Sequence, residues 1–387
     1  MHKSVKKIVI RIIAILLTGS LNLYRKIRPL PPRIYFCYNQ SIHHIYHSLF
    51  VAIELSNLQS ENEVVVLSTS AEASKIIAAE LAAIPNRVKF IKIRHPGYNR
   101  IDFNVNWFVF LCRLRMHLPK AVVVTDFFDN VFRQLGVKTF WIYLPHGFVN
   151  RKFGDDPHLH DYDLLLLPGE KEKQELAERV GPLSNAVIAG YAKLDYLRYH
   201  QAGASALFRE TKPVVMYNPH FDPQVTSFFD QGRELLEALS AGRKYNIIFM
   251  PHPDLARRIQ PLLAKLGNLP DIVIAERSKT NLDYMAAADI YITDVSSSVF
   301  EWLYFDKPVL FFNTKKVVWR NNRYYLSWVL GEVVETVPEM LEEIDKAVKG
   351  RDNFREQRKN MFNNIFINRD KNVSGIIAGI IWNKLRQ

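Results

Sequence analysis

The chain has 387 residues, of which 48% are hydrophobic and 23% are charged, so it is long enough for two packed domains and too apolar for intrinsic disorder. Its two cysteines, Cys37 and Cys112, are too few for a disulfide framework, and we expect both to be buried thiols in a reducing compartment. The formal net charge is +12, but no basic–aromatic groove motif or zinc spacing accompanies it, which argues against a nucleic-acid partner.

The excess positive charge is concentrated near the N-terminus. No acidic residue precedes Glu54, whereas eight cationic residues do: Lys3, Lys6, Lys7, Arg11, Arg25, Lys26, Arg28 and Arg33. Apolar residues recur at helical spacing within 8–24, a pattern typical of an amphipathic helix in an anionic membrane surface. We therefore expect residues 1–30 to hold the chain at the cytoplasmic face of the cell membrane as a peripheral protein. A transmembrane span is the alternative, but it would bury Arg11 and Asn22, and a signal peptide lacks an obvious cleavage site.

Short apolar runs rich in Val, Ile and Phe alternate with helical patterns from residue 31 onwards. Such runs are typical of parallel strands buried on both faces. The predicted strands are 33–38, 64–68, 88–93, 121–125, 139–144, 163–167 and 186–189, with helices at 48–58 and 71–83. Residues 31–205 are predicted to form an N-terminal Rossmann-like domain that binds the acceptor.

A charged stretch of low aromatic content near 200–212 is predicted to be a linker, after which the alternation restarts. The next predicted strands are 213–218, 245–250, 272–275, 289–293 and 308–312, and helices at 337–349 and 353–368 would brace this second unit. Residues 206–387 are therefore predicted to form a C-terminal Rossmann-like domain that binds a nucleotide donor. Together the two halves predict an α/β fold with two Rossmann-like domains facing each other across a cleft.

The segment 294–301 is the strongest functional signal and reads Asp-Val-Ser-Ser-Ser-Val-Phe-Glu. It follows a predicted strand and opens a helical pattern, and the first N–H groups of a helix lack intrahelical partners and carry partial positive charge. We predict that Asp294, Ser296, Ser297 and Ser298 bind the diphosphate of a nucleotide donor. Glu301, about one turn further along, is predicted to accept hydrogen bonds from the ribose.

Two histidines follow predicted strands, at the edge where open parallel sheets bind ligands. His146, within Pro-His-Gly, is predicted to act as general base for a hydroxyl nucleophile, because its ordinary pKa lies near neutrality. His252, within Pro-His-Pro, is predicted to donate a hydrogen bond to a phosphate oxygen. The alternative for each is an ordinary loop histidine.

Three further polar residues are candidates for donor binding. Asn218 ends a predicted strand and is expected to contact phosphate or substrate, although Asn-Pro is also an ordinary turn starter. Lys193 is expected to meet a phosphate, with Asp195 orienting it. A surface ion pair is the alternative for this Lys–Asp pair.

Two histidine clusters are candidate metal sites by composition, but neither has a His-Glu-x-x-His signature. His43, His44 and His47 are better explained by an acceptor-side role, and His158 and His160 by a solvated turn. The chain also lacks a P-loop, a dinucleotide fingerprint and a nucleophile elbow, which counts against NTPases, dinucleotide oxidoreductases and α/β-hydrolases. We expect a transferase that uses no metal and no cofactor, with the nucleotide donor as a substrate.

Taken together and in this order, six motifs resemble the CDP-glycerol glycerophosphotransferase family of teichoic-acid and capsule polymerases and primases. The resemblance spans about 140–315, and its last two motifs are a Ser-rich strand end and a Lys-Pro strand start. The matching residues are His146-Gly147, the turn from Gly190 to Asp195, Tyr217-Asn-Pro-His220, His252-Pro253, the segment from Thr293 to Ser297, and Lys307-Pro308.

The resemblance implies a GT-B fold and a peripheral membrane protein that moves glycerol phosphate from CDP-glycerol to a polyprenyl- or lipid-linked glycan acceptor. In such an enzyme His146 would deprotonate the acceptor hydroxyl. His252 and the N–H groups after Ser296, Ser297 and Ser298 would neutralise charge on the diphosphate and on the leaving CMP. A homo-oligomer is compatible with the sequence.

Departures from the family pattern leave other donors open. Lys193 stands where Arg is usual, Val295 where Tyr is usual and Glu301 where Asp is frequent, and His220 ends a motif that usually reads Ala-Pro-Thr. The alternatives are a CDP-ribitol transferase, a GT-B nucleotide-sugar glycosyltransferase and a UDP-sugar 2-epimerase-like enzyme, each of which would use the same phosphate site. An alternative from another class is a catalytically silent membrane-bound scaffold for capsule assembly.

Overall fold

The computed structural model describes residues 31–38, 42–93, 119–125, 139–147, 157–200, 207–276 and 279–387. Within these residues the strands are β1 Arg33–Tyr38, β2 Glu63–Ser68, β3 Lys89–Lys92, β4 Ala121–Val124, β5 Phe140–Tyr143, β6 Leu164–Leu167, β7 Ala186–Ile188, β8 Val214–Asn218, β9 Asn246–Phe249, β10 Ile272–Ile274, β11 Ile290–Thr293, β12 Val309–Phe312 and β13 Glu332–Val334. The α-helices are α1 Leu49–Leu58, α2 Ala71–Ala83, α3 Glu170–Val180, α4 Tyr196–Tyr199, α5 Arg233–Gly242, α6 Pro253–Arg258, α7 Gln260–Leu266, α8 Asn281–Ala287, α9 Ser298–Trp302, α10 Val337–Val348, α11 Arg355–Ile365 and α12 Val373–Arg386.

The strands form two parallel sheets, one in each half of the chain. The first sheet has the order β3-β2-β1-β4-β5-β6-β7, and the second has the order β10-β9-β8-β11-β12-β13. All pairs among the strands described above are parallel, so the carboxyl ends of the strands in each sheet lie along one edge. The strand order reverses beside β1 in the first sheet and beside β8 in the second, and such switch points open the crevices in which parallel sheets bind ligands.

Burial on both faces explains why the sequence pattern predicted these strands. All six residues of β1 and all five of β8 are buried, because helices cover both sides of each sheet. The first strand also buries Arg33, whose guanidinium is paired with Glu63 at the start of β2. Cys37 lies within β1 and is 2% exposed, as expected for a structural thiol, and burial raises its pKa. Cys112 lies outside the described residues.

Two elements of the second half were not predicted from the sequence. The strand β13 is as short as β7 and β10, but it begins with Glu332 and is followed by Glu335, so only two consecutive apolar residues mark it. The helix α12 contains two glycines, Gly375 and Gly379, which weaken its helical pattern. Its start is capped by Asn372, whose side-chain oxygen accepts a hydrogen bond from the Gly375 N–H at 2.9 Å.

The expectation that the helices at 337–349 and 353–368 brace the second half is correct for α10 and incomplete for α11. Helix α10 packs on the second sheet and begins with a capping box formed by Thr336 and Glu339. Helix α11 reaches α3 of the first half, where Gly169 comes so close to the Ile365 carbonyl that a Cβ there would lie 2.1 Å from it. Helix α12 packs against α1 of the first half. The chain therefore returns to the first half after completing the second.

The predicted membrane segment, residues 1–30, lies outside the described residues, and so does the central part of the predicted linker, 201–206. Among the helices that the structure describes, none is both long and apolar enough to cross a bilayer.

Candidate active site

The segment that follows β11 forms a compact turn held from below by Asp294. This side chain is 0% exposed, and its two oxygens accept hydrogen bonds from the backbone N–H groups of His220, Ser227 and Val295 at 2.7–2.8 Å. The Ser227 hydroxyl donates a further bond at 3.0 Å. Burial raises the pKa of the Asp294 carboxyl, and these donors oppose that rise. Asp294 thus fixes the loops after β8 and β11 to each other, and its carboxylate lies beneath the turn rather than on its surface.

Asn218, at the end of β8, connects three strand ends. Its side-chain oxygen accepts hydrogen bonds from the Tyr291 hydroxyl at 2.7 Å and the Ser298 hydroxyl at 3.0 Å. Its amide group donates to the Met250 carbonyl at the end of β9. The Ser296 hydroxyl lies 2.6 Å from that of Ser298, so both serines are part of this network. The predicted site residues of the second half are therefore brought together at one sheet edge.

The first N–H groups of α9 are occupied within the turn itself, contrary to our expectation that they face a diphosphate. The Ser298 N–H donates to the Ser296 hydroxyl, the Val299 N–H to the Ser296 carbonyl, and the Phe300 N–H to the Ser297 carbonyl. The reason is geometric, because Ser297 already has helical backbone angles and the turn closes on its own carbonyls. In this arrangement the serine turn is a rigid support whose surface faces the cleft.

Glu301 and Lys193 are paired with each other, whereas the sequence predicted a ribose contact for one and a phosphate contact for the other. The Lys193 ammonium lies 2.8 and 3.0 Å from the two carboxylate oxygens of Glu301, and both residues are only 5–6% exposed. The Tyr191 hydroxyl and the Asn281 amide also donate to Glu301, each at 2.5 Å. These bonds join the segment after β7 to α8 and α9 of the second half.

Asp195 contacts neither Lys193 nor the serine turn. Its carboxylate accepts a hydrogen bond from the Ser374 N–H at 2.6 Å, at the start of α12, and burial raises the pKa of this carboxyl. Asp195 therefore anchors the returning C-terminal helix, and the predicted role of orienting Lys193 does not fit this geometry. The surface ion pair weighed as the alternative does not fit either, because both side chains are buried.

His146 lies on the opposite side of the cleft, after β5. Its Nδ1 is 2.5 Å from the Thr125 carbonyl oxygen, which can only accept, so Nδ1 carries the proton and the neutral ring keeps its lone pair on Nε2. The ring of His44 lies 4.1 Å away, and that of His47 lies 6.4 Å away. The Ser297 hydroxyl lies only 3.8 Å from the point where a Cβ would stand on Gly147. The histidine loop of the first half thus meets the serine turn of the second.

His252 and His220 share one arrangement on the second sheet. The Nδ1 of His252 accepts a hydrogen bond from the Asp254 N–H at 3.2 Å, and the Nδ1 of His220 accepts one from the Asp222 N–H at 3.1 Å. Each neutral ring therefore carries its proton on Nε2. The two ring centroids lie 5.8 Å apart, and both rings pack against Phe221. Two N–H donors so arranged suit an anion with several acceptor oxygens.

Sequence reasoning underrated His220, His44 and Tyr291 and left the role of Lys307 open. His220 and His44 each follow a strand, which was a usable signal, whereas the contact of Tyr291 with Asn218 is visible only in the folded chain.

The Lys307 ammonium donates to the Ala286 and Ala288 carbonyls at the end of α8 at 3.2 and 2.5 Å, so the Lys-Pro motif caps a helix. His160 is exposed and bonds the Val180 carbonyl, as expected of a turn residue.

No three His, Cys, Asp or Glu side chains in the part of the chain described here converge closely enough to hold a metal ion.

Comparison with known proteins identifies the family. The curated relative "Minor teichoic acid biosynthesis protein GgaB" of Bacillus subtilis (strain 168) is 23% identical over 273 residues, and the match covers 65% of this chain and 30% of that protein. The chain therefore spans less than a third of this relative.

Solved structures share the fold at low sequence identity. A structure of the wall teichoic acid polymerase TagF has a TM-score of 0.65 at 13% identity, covering 99% of this chain and 97% of that one. A UDP-GlcNAc 2-epimerase from Neisseria meningitidis has a TM-score of 0.59 at 14% identity, covering 92% of this chain and all of that one. The family profile of CDP-glycerol:poly(glycerophosphate) glycerophosphotransferases matches residues 146–383, a stretch that begins at the cleft histidine. Since this match takes in well over half of the residues, the chain belongs to the CDP-glycerol:poly(glycerophosphate) glycerophosphotransferase family.

Proposed function

We propose that this protein transfers glycerol phosphate from CDP-glycerol to a hydroxyl of a lipid-linked glycan or teichoic-acid acceptor. Family membership supports the reaction class, and the fold it shares with TagF supports a site between the two halves. The observation that carries the assignment is the position of His146, which faces the serine turn across the cleft with its Nδ1 bonded to the Thr125 carbonyl.

His146 acts in this proposal as the general base. Its Nε2 takes the proton of the acceptor hydroxyl while the hydroxyl oxygen attacks the phosphorus that bears glycerol. The bond between that phosphorus and the oxygen bridging to the cytidine phosphate breaks, and CMP leaves with the bonding electron pair. The Thr125 carbonyl holds the ring in the tautomer that can accept, and it stabilises the imidazolium that forms.

The donor diphosphate is proposed to lie against the loops after β8 and β9. There the Nε2–H groups of His252 and His220 neutralise charge that develops on the leaving phosphate. Asn218, Ser296 and Ser298 form the floor of this site, since their polar groups are hydrogen-bonded to one another. Asp294 lies beneath them and accepts hydrogen bonds from the backbone N–H groups of His220 and Ser227. Ser297 faces the other half of the cleft and is the serine best placed to contact substrate.

We also propose that the protein works at the cytoplasmic face of the cell membrane, with residues 1–30 contributing a basic amphipathic anchor. The supporting observation is the absence of any acidic residue before Glu54. A lipid-linked acceptor would be presented at that surface. A homo-oligomer remains a prediction from the sequence.

The experiment measures CMP release from CDP-glycerol by the full chain with membrane acceptor, for the native protein and for His146→Ala. Loss of the base is expected to lower the rate by about 100-fold to 10,000-fold with an unchanged circular dichroism spectrum. His160→Ala is the matched control, because this exposed histidine lies in the turn that bonds Val180. Turnover of His146→Ala near the native rate would remove the proposed base.

A donor panel tests the identity of the nucleotide. CDP-glycerol should raise the melting temperature and release CMP. CDP-ribitol carries the same CDP group and should raise the melting temperature without releasing CMP, whereas UDP-sugars and CMP-sugars should do neither. If the protein turns over one of the other donors and not CDP-glycerol, the proposed donor is wrong, while the proposed position of the donor site still stands. Absence of stabilisation by every nucleotide would favour a silent scaffold.

A further inference from the structure

Residues 314–330, which we call the aromatic–basic segment, follow β12 at the cleft edge of the second sheet. Four of its large apolar side chains are exposed: Val318 at 88%, Val329 at 44%, Leu326 at 38% and Tyr324 at 37%. They are nearly half of all large hydrophobic residues that are exposed in the described part of the chain. Phe229, which is 49% exposed, precedes Asp230, and that carboxylate pairs with Lys315 of the segment. Exposed apolar side chains are therefore concentrated at this edge.

The charge of the aromatic–basic segment has a single sign. It contains Lys315, Lys316, Arg320 and Arg323 and no acidic residue. Lys315 is paired with Asp230. Lys316 and Arg320 are exposed, and the charge of Lys316 contributes to lowering the pKa of Glu339. The Arg320 guanidinium lies 4.9 Å from the ring of Trp319, so its cation is held over an aromatic face at the surface.

A buried aromatic cluster holds the segment in place. The Trp328 ring lies 4.7 Å from Tyr325 and 6.0 Å from Trp319, and Trp328 is 2% exposed. The indole N–H of Trp328 donates to the Asp294 carbonyl at 2.7 Å. The segment is thus hydrogen-bonded directly to Asp294, which supports the serine turn. Its exposed side chains are therefore held in place by the buried Trp328.

We propose that the aromatic–basic segment is a docking surface for an anionic lipid bilayer. Exposed Tyr, Leu and Val side chains gain apolar burial at the boundary between headgroups and acyl chains, and neighbouring Lys and Arg side chains contact the anionic headgroups. A soluble anionic polymer would use the cations alone and would leave Val318 and Leu326 in water. Because the segment exposes both apolar and cationic side chains, an anionic bilayer fits it better than a soluble anionic polymer does.

Charge also disfavours two other occupants of the same surface. A second copy of this chain, docked face to face, would bring like charges together. Residues 1–30 carry only positive charge and would be repelled for the same reason. Both basic regions can instead lie on one anionic surface. Binding of the segment would place the cleft edge of the second sheet beside the membrane, within reach of a lipid-linked acceptor.

The test is sedimentation of the full chain with vesicles of phosphatidylglycerol and phosphatidylcholine, compared with phosphatidylcholine alone. Each cation at an anionic surface contributes about fivefold to binding, so Lys316→Gln with Arg320→Gln should weaken binding to the anionic vesicles by about 30-fold. The control pair, Lys265→Gln with Lys349→Gln, removes one exposed cation from α7 and one directly after α10, and should leave binding within about twofold.

The apolar part of the surface is tested separately by Val318→Ser with Leu326→Ser. This pair should also weaken vesicle binding, whereas Leu58→Ser with Val348→Ser, which are 52% and 41% exposed elsewhere, should not. Vesicle binding at the native level by both segment variants would overturn the proposal. So would retained vesicle binding combined with lost binding of soluble polyglycerol phosphate, which would assign the cations to the polymer.

The inference is independent of the donor assignment, because vesicle binding requires no nucleotide. Melting temperatures of the variants within about two degrees of the native chain would show that the fold is intact, because surface substitutions rarely change stability by more than about 0.5 kcal/mol. CMP release with a short water-soluble acceptor should be unchanged in both segment variants. Loss of that activity with normal vesicle binding would place the segment in the site instead of on the membrane.

Discussion

His220 and His252 illustrate how a backbone N–H selects the tautomer of a neighbouring side chain. In both residues the backbone N–H two positions on donates to Nδ1, so the proton sits on Nε2. The second imidazole, His220, lies 5.8 Å from the first between ring centroids. The pair is suited to hold a diphosphate between two N–H donors.

We predict that His220→Ala weakens binding of CDP by about tenfold or more, since a hydrogen bond to a charged group contributes about 1.5–3 kcal/mol. His252→Ala should have a similar effect, and His220→Asn should restore part of the affinity through its amide donor. Titration calorimetry with CDP measures all three. Unchanged affinity of His220→Ala alongside weakened binding by His252→Ala would leave His220 outside the donor site.

Which residues are polar at the strand ends could be predicted from the sequence, but which polar groups pair with each other could not. His146 and His252 were found because each follows an apolar run and is flanked by turn residues. Lys193 and Glu301 are separated by 108 residues, and nothing local indicates that the two charges neutralise each other. Similarly, Asp294 looks like a ligand contact until its carboxylate is seen to hold the loop after β8.

At the scale of elements, Lys307 has a structural role at the end of α8. Its ammonium donates to the Ala286 and Ala288 carbonyls, which lie at the negative, C-terminal end of the helix. Burial lowers the pKa of this half-buried amine and the charge of Asp289 opposes that fall, while the two carbonyls accept hydrogen bonds from the ammonium. The Lys-Pro motif that resembles the family pattern therefore supports the helix that supplies Asn281 to Glu301.

We predict that Lys307→Ala lowers the free energy of unfolding by about 1–3 kcal/mol, because two helix carbonyls lose their charged donor. Lys307→Met keeps the apolar stem and separates the loss of charge from the loss of packing. Urea denaturation measures both variants, and affinity for CDP should be unchanged. A variant with native stability and weakened CDP binding would assign Lys307 to the donor.

Strands were predicted well because each buried run carries its own signal, while two C-terminal elements were not. In β13 only Val333 and Val334 are apolar, with Glu332 and Glu335 on either side, and α12 is interrupted by Gly375 and Gly379, so neither pattern stands out. The packing of α12 on α1 depends on a contact between the two ends of the described chain. Asn372 shows this, since its amide donates to Glu54 at 2.8 Å.

At the scale of the whole molecule, buried polar contacts join the two halves. The pair formed by Lys193 and Glu301 is the most buried of these, and the Tyr196 hydroxyl donates to Asp283 nearby at 2.8 Å. Removing one partner of a buried pair leaves an uncompensated charge, which typically destabilises a protein by about 3–5 kcal/mol. The pair therefore contributes to holding the halves in register.

We predict that Glu301→Gln and Lys193→Met each destabilise the protein by about 3–5 kcal/mol and that the double variant loses much less than the sum. Chemical denaturation of the four proteins measures this coupling, and calorimetry with CDP-glycerol measures donor affinity. Native stability of Glu301→Gln with strongly weakened donor binding would return Glu301 to the ribose contact expected from the sequence.

The return of α12 to α1 has a mechanical consequence. The segment after β7 contacts the second half through the pair of Lys193 and Glu301. The helix α12 packs on α1 of the first half, and its Ser374 N–H donates to Asp195. Together with the contact of α11 with α3, these junctions connect the halves at several places, so we expect their relative motion to be limited to small rotations that keep the buried contacts. A ligand bound between the Gly147 loop and the Ser297 turn would add one more contact between the halves and would restrict that rotation further.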